Sequence, residues 1–499
     1  MLFNSCNRQR MLRHLTLGLL TCGISAAALA QSQTSLPAEV RAALERARLP
    51  QNAMAALVLE ATPTTQGSKT SPTQPLLSWR ADASMNPASV MKLVTTYASL
   101  ELLGPSYSWK TPVYLDGSIS NGVLHGNLVI QGRGDPKLVM ERLWLLLHRV
   151  QSLGVQRISG DIVLDRSAFA PNAQDPGDFD GEPLRPYNAS PDALLINYKS
   201  VLMTFTPQPS RGLASISMDP PLANLTLQTS VPLATGKDAS ACGNYRATLA
   251  PDFSSPDRIR FLGSYPPACG EKVWPLAYAD PDSFAARAVL GLWQDMGGKL
   301  DGRVRDGQAS AGLMPAFEMT SPSLAEVIQN INKYSNNVMA QQLFLTLSLA
   351  PITTQVSLPA SISASREVLA AWWRARFGEQ DLPLMDNGSG LSRQARITPQ
   401  ALGRMLQAAY ASTSMPELMA SLPIAGVDGT LKRNLGQPSE GLAHLKTGSL
   451  RDVTALAGYV HLANGRRLVV VAMINHANAG AGKPALDALV EWALREGKR

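Results

Sequence analysis

Three short motifs follow one another along the chain: Ser89-Val90-Met91-Lys92, Ser335-Asn336-Asn337 and Lys446-Thr447-Gly448. Their residue types suit acyl transfer. A serine three residues before a lysine shares a helical face with it, so the amine reaches the hydroxyl. An ammonium cannot take a proton, but burial and a second cation lower a lysine pKa and make it a base. Lys446 is the candidate second cation. Ser89 lies at a helix start, where the backbone favours negative charge. Asn337 offers an amide to bind a substrate carbonyl and orient Lys92, and Ser335 offers a hydroxyl for proton relay. Gly448 lets a ligand approach the strand, and Lys446, Thr447 and Ser449 form a grip for a carboxylate.

Each motif alone has a plainer explanation. Ser89 caps a helix, Lys92 lies on a solvated face, Ser335 to Asn337 cap another helix, and Lys446 decorates an edge strand. A chain of this length holds on the order of one S-x-x-K by chance. The ordered conjunction of all three carries the argument.

The elements that must position these residues are legible in outline. A strand over 55–60 and a return strand over 76–80 precede a helix running from Asn86 to about Leu102. Short strands at 113–115, 122–124 and 128–130, broken by Asp-Gly and Asn-Gly turns, open a long region of small strands and Pro-rich loops. Helices are expected over 138–153, 283–297, 321–349, 365–377 and 484–495. Strands over 454–462 and 467–474 flank the turn Asn464-Gly465 and form a hairpin. Lys446 falls on a strand over 444–450.

The 499 residues carry a formal charge of +7 with 45% hydrophobic and 17% charged residues, enough apolar matter for a sizeable core. The basic balance has no dense Lys/Arg block, which argues against nucleic acid as partner. Arg8, Arg10 and Arg13, the apolar run Leu15–Ala27 and Ala28-Leu29-Ala30 read as a cleaved signal peptide over 1–30, with Met11 an alternative start. Its removal leaves +4. No later run is long enough to span a membrane. Cys242 and Cys269 then remain as an even pair in an oxidising compartment, so a disulfide is expected. Histidine spacing gives no metal motif, and neither a Walker A sequence nor a G-x-S-x-G elbow is present.

The stretches NPASVMKL (86–93), GRGDP (132–136), YNASPDALLIN (187–197), NKYSNNVMAQQL (332–343), DNGSGLSR (386–393) and HLKTGSLRDV (444–453) together resemble the D-alanyl-D-alanine carboxypeptidase/endopeptidase family of penicillin-binding proteins (the DacB-like group). The 246 residues from Ser89 to Ser335 match the long gap of that group. The resemblance implies an α/β fold of the β-lactamase/transpeptidase kind, an antiparallel sheet flanked by helices. Residues 31–111 and 313–499 would build it. A mostly β insertion over 112–312 would form two small domains, the inner one about 168–275. It further implies acylation of Ser89 with Lys92 as base, and Ser335, Asn337 and Lys446 assisting. Backbone N–H groups of Ser89 and Ser449 would form an oxyanion hole. Thr447, Gly448 and Ser449 would bind the terminal carboxylate, with Asp135 and Arg393 beside the pocket for a diamino-acid side chain. The implied partners are peptidoglycan peptides, with β-lactams as acylating inhibitors, in the periplasm and without a cofactor. Asn387 departs from relatives in which Asp runs directly into Gly, so the turn at 386–388 is expected to differ.

Two other readings use the same residues. A β-lactamase or esterase on this fold is one, although no E-x-x-L-N segment is present to activate a deacylating water. A catalytically idle wall-binding scaffold is the other, against which the intact Ser89 and Lys92 argue.

Overall fold

The computed structural model describes residues 34–61, 74–171, 175–349, 358–433 and 437–497. The expected signal peptide, with Cys6 and Cys22, lies outside them. One sheet carries the architecture. Its strands are β1 (Met54–Glu60), β2 (Leu77–Trp79), β3 (Ala443–Leu450), β4 (Val453–His461) and β5 (Arg467–Asn475), in the order β3-β4-β5-β1-β2. All its pairs are antiparallel. The fold is therefore α/β with an antiparallel central sheet flanked by helices, as the resemblance implied.

Strand alternation explains why the sheet is buried on both sides. Ala455, Ala457, Tyr459, Val469, Val471 and Met473 face one core, and Leu456, Val460, Leu468, Val470, Ala472 and Ile474 face another. Helices α1 (Ala38–Arg46) and α6 (Lys483–Glu496) cover the second face. The first face is covered by α2 (Lys92–Leu103), α3 (Leu324–Lys333), α4 (Asn337–Leu349) and α5 (Pro399–Tyr410). Helices α2 and α4 are enclosed on nearly all sides: nine of the twelve residues of α2 and eleven of the thirteen of α4 are buried, polar ones such as Thr95 and Gln342 included. That packing seats a helix N-terminus from each beside the edge strand β3.

Between Lys110 and Thr320 the chain builds further sheets. Seven strands, from Lys110–Ser120 to Phe317–Thr320, form a mixed sheet. A four-stranded antiparallel sheet takes Ser200–Gln208, Leu213–Asp219, Ser230–Pro232 and Lys272–Ala277, with a three-stranded sheet beside it. Phe317–Thr320 pairs with Lys110–Val113, so strands from the two ends of this segment lie side by side.

The three short strands expected over 113–130 are instead one long hairpin, Lys110–Ser120 with Val123–Gln131. The turn is Asn121-Gly122, both with positive φ (48° and 79°), the two-residue loop that suits strand twist. Asp116-Gly117 is not a turn. Gly117 pairs with Gly126, and a Cβ on Gly117 would stand 2.3 Å from the His125 carbonyl oxygen. The two glycines mark a close backbone approach between strands.

Cys242 and Cys269 are disulfide-bonded. Protein lacking residues 1–30, denatured without reductant, is expected to show no titratable thiol. Replacing both cysteines by serine is expected to cost about 3 kcal/mol in urea unfolding.

Candidate active site

The chain reaches Ser89 through a pinned turn. Asn86 Oδ1 accepts the Ala88 N–H (2.8 Å), and Asn86 Nδ2 donates to the Ser392 carbonyl (2.9 Å). Asn475, at the end of β5, accepts from the Asn86 N–H (2.7 Å) and donates to the Asn86 carbonyl (2.9 Å). These bonds hold Ala88 at φ 47°, a left-handed conformation that a non-glycine residue adopts only under constraint. Ala88–Met91 is a tight 3₁₀ turn, and α2 begins at Lys92. The sequence leads one to expect a single helix from Asn86. The tighter turn follows Pro87 and opens on the strained Ala88.

Lys92 is fully buried, and its Nζ has three neighbours: Ser89 Oγ at 2.9 Å, Asn337 Oδ1 at 2.6 Å and the Ser389 carbonyl at 2.6 Å. The last two only accept. Asn337 cannot present its amide nitrogen instead, because its Nδ2 donates to the Tyr187 carbonyl (3.1 Å). A neutral amine has two N–H bonds and one lone pair. Both N–H bonds are taken by oxygens, so the lone pair is left for the Ser89 hydroxyl proton. Burial, and next the charge of Lys446, holds the Lys92 pKa well below the usual lysine value.

Lys446, on β3, is also fully buried. Its Nζ donates to Ser335 Oγ (2.9 Å) and to the Thr447 carbonyl (2.6 Å). Burial lowers its pKa to about 7. Ser335 sits at φ 57°, in the loop between α3 and α4, and Asn336 Oδ1 caps α4 by accepting from the Met339 N–H (3.0 Å). The expected capping role belongs to Asn336, which frees Ser335 and Asn337 to face the lysines.

Gly448 permits the edge strand to touch the nucleophile turn. A Cβ there would lie 2.5 Å from the Pro87 carbonyl oxygen and 3.1 Å from the Ser89 nitrogen. Thr447 Oγ1 lies 2.8 Å from Thr430 Oγ1, and Ser449 is exposed. A pocket of about 300 Å³ opens over Ser89, Ser335, Thr447, Gly448 and Ser449. At the departing turn, Asn387 is buried, and its Oδ1 accepts from the Ser389 N–H (3.1 Å) and hydroxyl (2.8 Å). That residue therefore shapes the turn whose carbonyl holds Lys92.

Asp135 and Arg393 stand apart from the lysine cluster and from each other's partners. Asp135 is buried; its Oδ1 accepts the Lys137 N–H (2.8 Å), its Oδ2 has no partner, and burial raises its pKa to about 6. Arg393 is half exposed, stacked 4.9 Å above the Phe179 ring and 3.5 Å from Asp452. Neither lines the pocket over Ser89. Asn475 and Thr430 are site residues outside the quoted stretches, and Asn86, Tyr187 and Ser389 lie within them without an assigned role. Ser389 and Tyr187 act through backbone carbonyls, which no side-chain pattern encodes. Among the described residues no group of His, Cys, Asp and Glu is arranged to hold a metal, and no helix is long and apolar enough to cross a membrane.

The D-Ala-D-Ala carboxypeptidase 3 (S13) family matches residues 36–496. The chain belongs to that family. It is a serine peptidase. It is 27% identical over 400 residues to the D-alanyl-D-alanine carboxypeptidase DacB of Haemophilus influenzae, covering 79% of this chain and 81% of that protein. It is 26% identical over 428 residues to a D-alanyl-D-alanine carboxypeptidase of Actinomadura sp., covering 82% and 77%. Among solved structures, penicillin-binding protein 4 of H. influenzae superposes with a TM-score of 0.70 at 23% identity, over 91% of this chain and 99% of that one. A predatory endopeptidase of Bdellovibrio bacteriovorus bound to an immunity protein superposes at 0.51 and 17% identity, over 89% and 92%, a likeness of fold.

Gly448→Ala is expected to slow penicillin acylation at least about tenfold without unfolding the protein, because the strand must move off the Ser89 turn. Stopped-flow acylation and circular dichroism check this. Lys446→Ala removes the cation that depresses Lys92, so the acid limb of the acylation pH profile is expected to move to higher pH.

Proposed function

We propose that the protein hydrolyses D-Ala-D-Ala bonds of peptidoglycan stem peptides, as a carboxypeptidase, an endopeptidase or both, through an acyl-enzyme on Ser89. The observation that carries this reading is the trivalent seat of Lys92, which leaves its lone pair for the Ser89 hydroxyl. The penultimate carbonyl sits between the backbone N–H groups of Ser89 and Ser449, and the C-terminal carboxylate lies against Thr447 and Ser449 beside the Lys446 charge. Ser89 Oγ attacks the carbonyl carbon and its proton passes to Lys92 Nζ. The C–N bond breaks, and the leaving amine takes a proton relayed through Ser335 and Lys446. Water then cleaves the ester, one proton returning to Ser89, and releases the shortened peptide.

Site chemistry makes β-lactams inhibitors of the same step, since the amide they offer acylates Ser89 and leaves no departing amine. A relative carries the name penicillin-sensitive carboxypeptidase A, and penicillin-binding protein 4 of H. influenzae has been solved with a β-lactam. The setting is the periplasm, reached by cleavage of residues 1–30. The segment over about 112–312 serves as a two-domain insertion beside the peptidase core. Asp135 and Arg393 read the diamino-acid side chain, whose amine and carboxylate complement an acid and a guanidinium. The unpartnered Oδ2 of Asp135 supports this, because a buried carboxylate oxygen gains from an incoming ammonium.

Ser89→Ala is expected to abolish peptide turnover and penicillin labelling with folding intact, since a lost cap costs only about 1 kcal/mol. Wild-type labelling in this variant sinks the assignment. Arg393→Ala and Asp135→Asn are expected to lower stem-peptide kcat/KM at least about tenfold while penicillin acylation stays near normal. Equal losses on both substrates would assign these residues to the fold.

A further inference from the structure

The pocket over Ser89 does not end at the carboxylate grip. Cross-strand partners share a sheet face. Thr447 stands opposite Leu456 and Ser449 opposite Thr454, so both side chains point towards α6, whereas Lys446 stands opposite Ala457 and points towards α2. On the α6 side the pocket continues between Leu431, Leu456 and Leu486, each at most 4% exposed, and reaches Lys483 and Asp487. These two charged residues are one helical turn apart on α6. Lys483 is exposed, and Asp487 is half-buried, its carboxyl pushed up to about 7 by burial and by Glu491, against the opposing charge of Lys483.

A departing D-Ala has no use for this extension. It ends in a methyl group and a carboxylate, and Thr447 and Ser449 already hold the latter. A pocket that runs past the carboxylate grip and ends at a cation and an acid calls for a longer leaving group, one that carries charged or polar groups beyond its reacting end. We propose that the channel from Ser449 to α6 seats the leaving strand of a cross-linked stem peptide, with Lys483 and Asp487 binding its peptide end. This rests on the acyl-enzyme reading above.

In such a substrate the expelled amine belongs to a diamino-acid side chain. The amide C–N bond breaks as the Ser89 Oγ–C bond forms, and the nitrogen leaves with the relayed proton. The methylenes of that side chain span the pocket between Ser449 and α6. Beyond them the second stem begins, where its amide and carboxylate groups meet Lys483 and its N–H and ammonium groups meet Asp487. The channel would thus separate two reactions of one nucleophile. Loss of a terminal D-Ala uses only the grip, whereas cleavage of a cross-link uses the grip and α6.

The test compares two purified muropeptide substrates, a monomeric pentapeptide and a D-Ala-linked dimer, on the full chain after signal removal. The double variant Lys483→Ala/Asp487→Asn is expected to lose at least about tenfold in kcat/KM on the dimer, while pentapeptide hydrolysis and penicillin acylation stay within about twofold of wild type. Retained acylation shows that the variant is folded. Unchanged dimer cleavage, or equal loss on both substrates, overturns the leaving-strand site. Wild-type protein that trims the pentapeptide but never cuts the dimer also overturns it and leaves the Ser89 reading intact. Wild-type protein that acts on neither peptide and forms no adduct on Ser89 defeats both.

Discussion

Two buried lysines on facing elements set the terms for this molecule. Lys92 and Lys446 are both fully enclosed, and each pKa is lowered chiefly by that enclosure. A charge taken out of water costs several kcal/mol, and two like charges close together cost more. The pair therefore resolves into one amine free to accept a proton and one centre that keeps its charge longer. Carbonyl and hydroxyl oxygens around them supply hydrogen bonds without countercharge. A carboxylate placed there would steady both ammonium groups and remove the base. The fold bears the penalty because α2, α4 and the sheet face bury a large common core directly behind the site.

The same constraint explains the strained backbone nearby. Ala88 and Ser335 both occupy the left-handed region, one on each side of the lysines. A hydroxyl must reach each amine from a loop that cannot widen without admitting water. Asn86 and Asn475 fix one loop, and Asn336 fixes the other. Gly448 and Gly390 then allow strand and loop to close on Ala88, where a Cβ on Gly390 would lie 1.9 Å from its carbonyl oxygen. Strain at the reacting centre is held by hydrogen bonds and close packing outside it.

Much of this was legible in the residues. The three motifs named the hydroxyls and amines, and their order identified the family. The hairpin β4–β5 was legible because its apolar runs flank Asn464-Gly465, whose glycine has φ 86°. Other parts were hidden for physical reasons. Lys92 is oriented by the Ser389 carbonyl, and Asn337 by that of Tyr187, and every residue has a carbonyl. Asp116-Gly117 has the composition of a turn, yet its glycine serves close strand pairing, a property of the partner strand. Thr430 meets Thr447 across a loop with no periodic signal.

One feature of the sheet bears on when the protein becomes active. Strand β1 precedes the nucleophile, but its neighbour β5 is made near the very end of the chain, and Asn475 of β5 holds the Ser89 turn from the far side. Lys446 also arrives more than three hundred residues after Ser89. During synthesis the serine is thus made well before the strand that holds its turn and the lysine beside it. The nucleophile turn is completed only when the C-terminal hairpin docks. Topology alone thus ties completion of the nucleophile turn to completion of the central sheet.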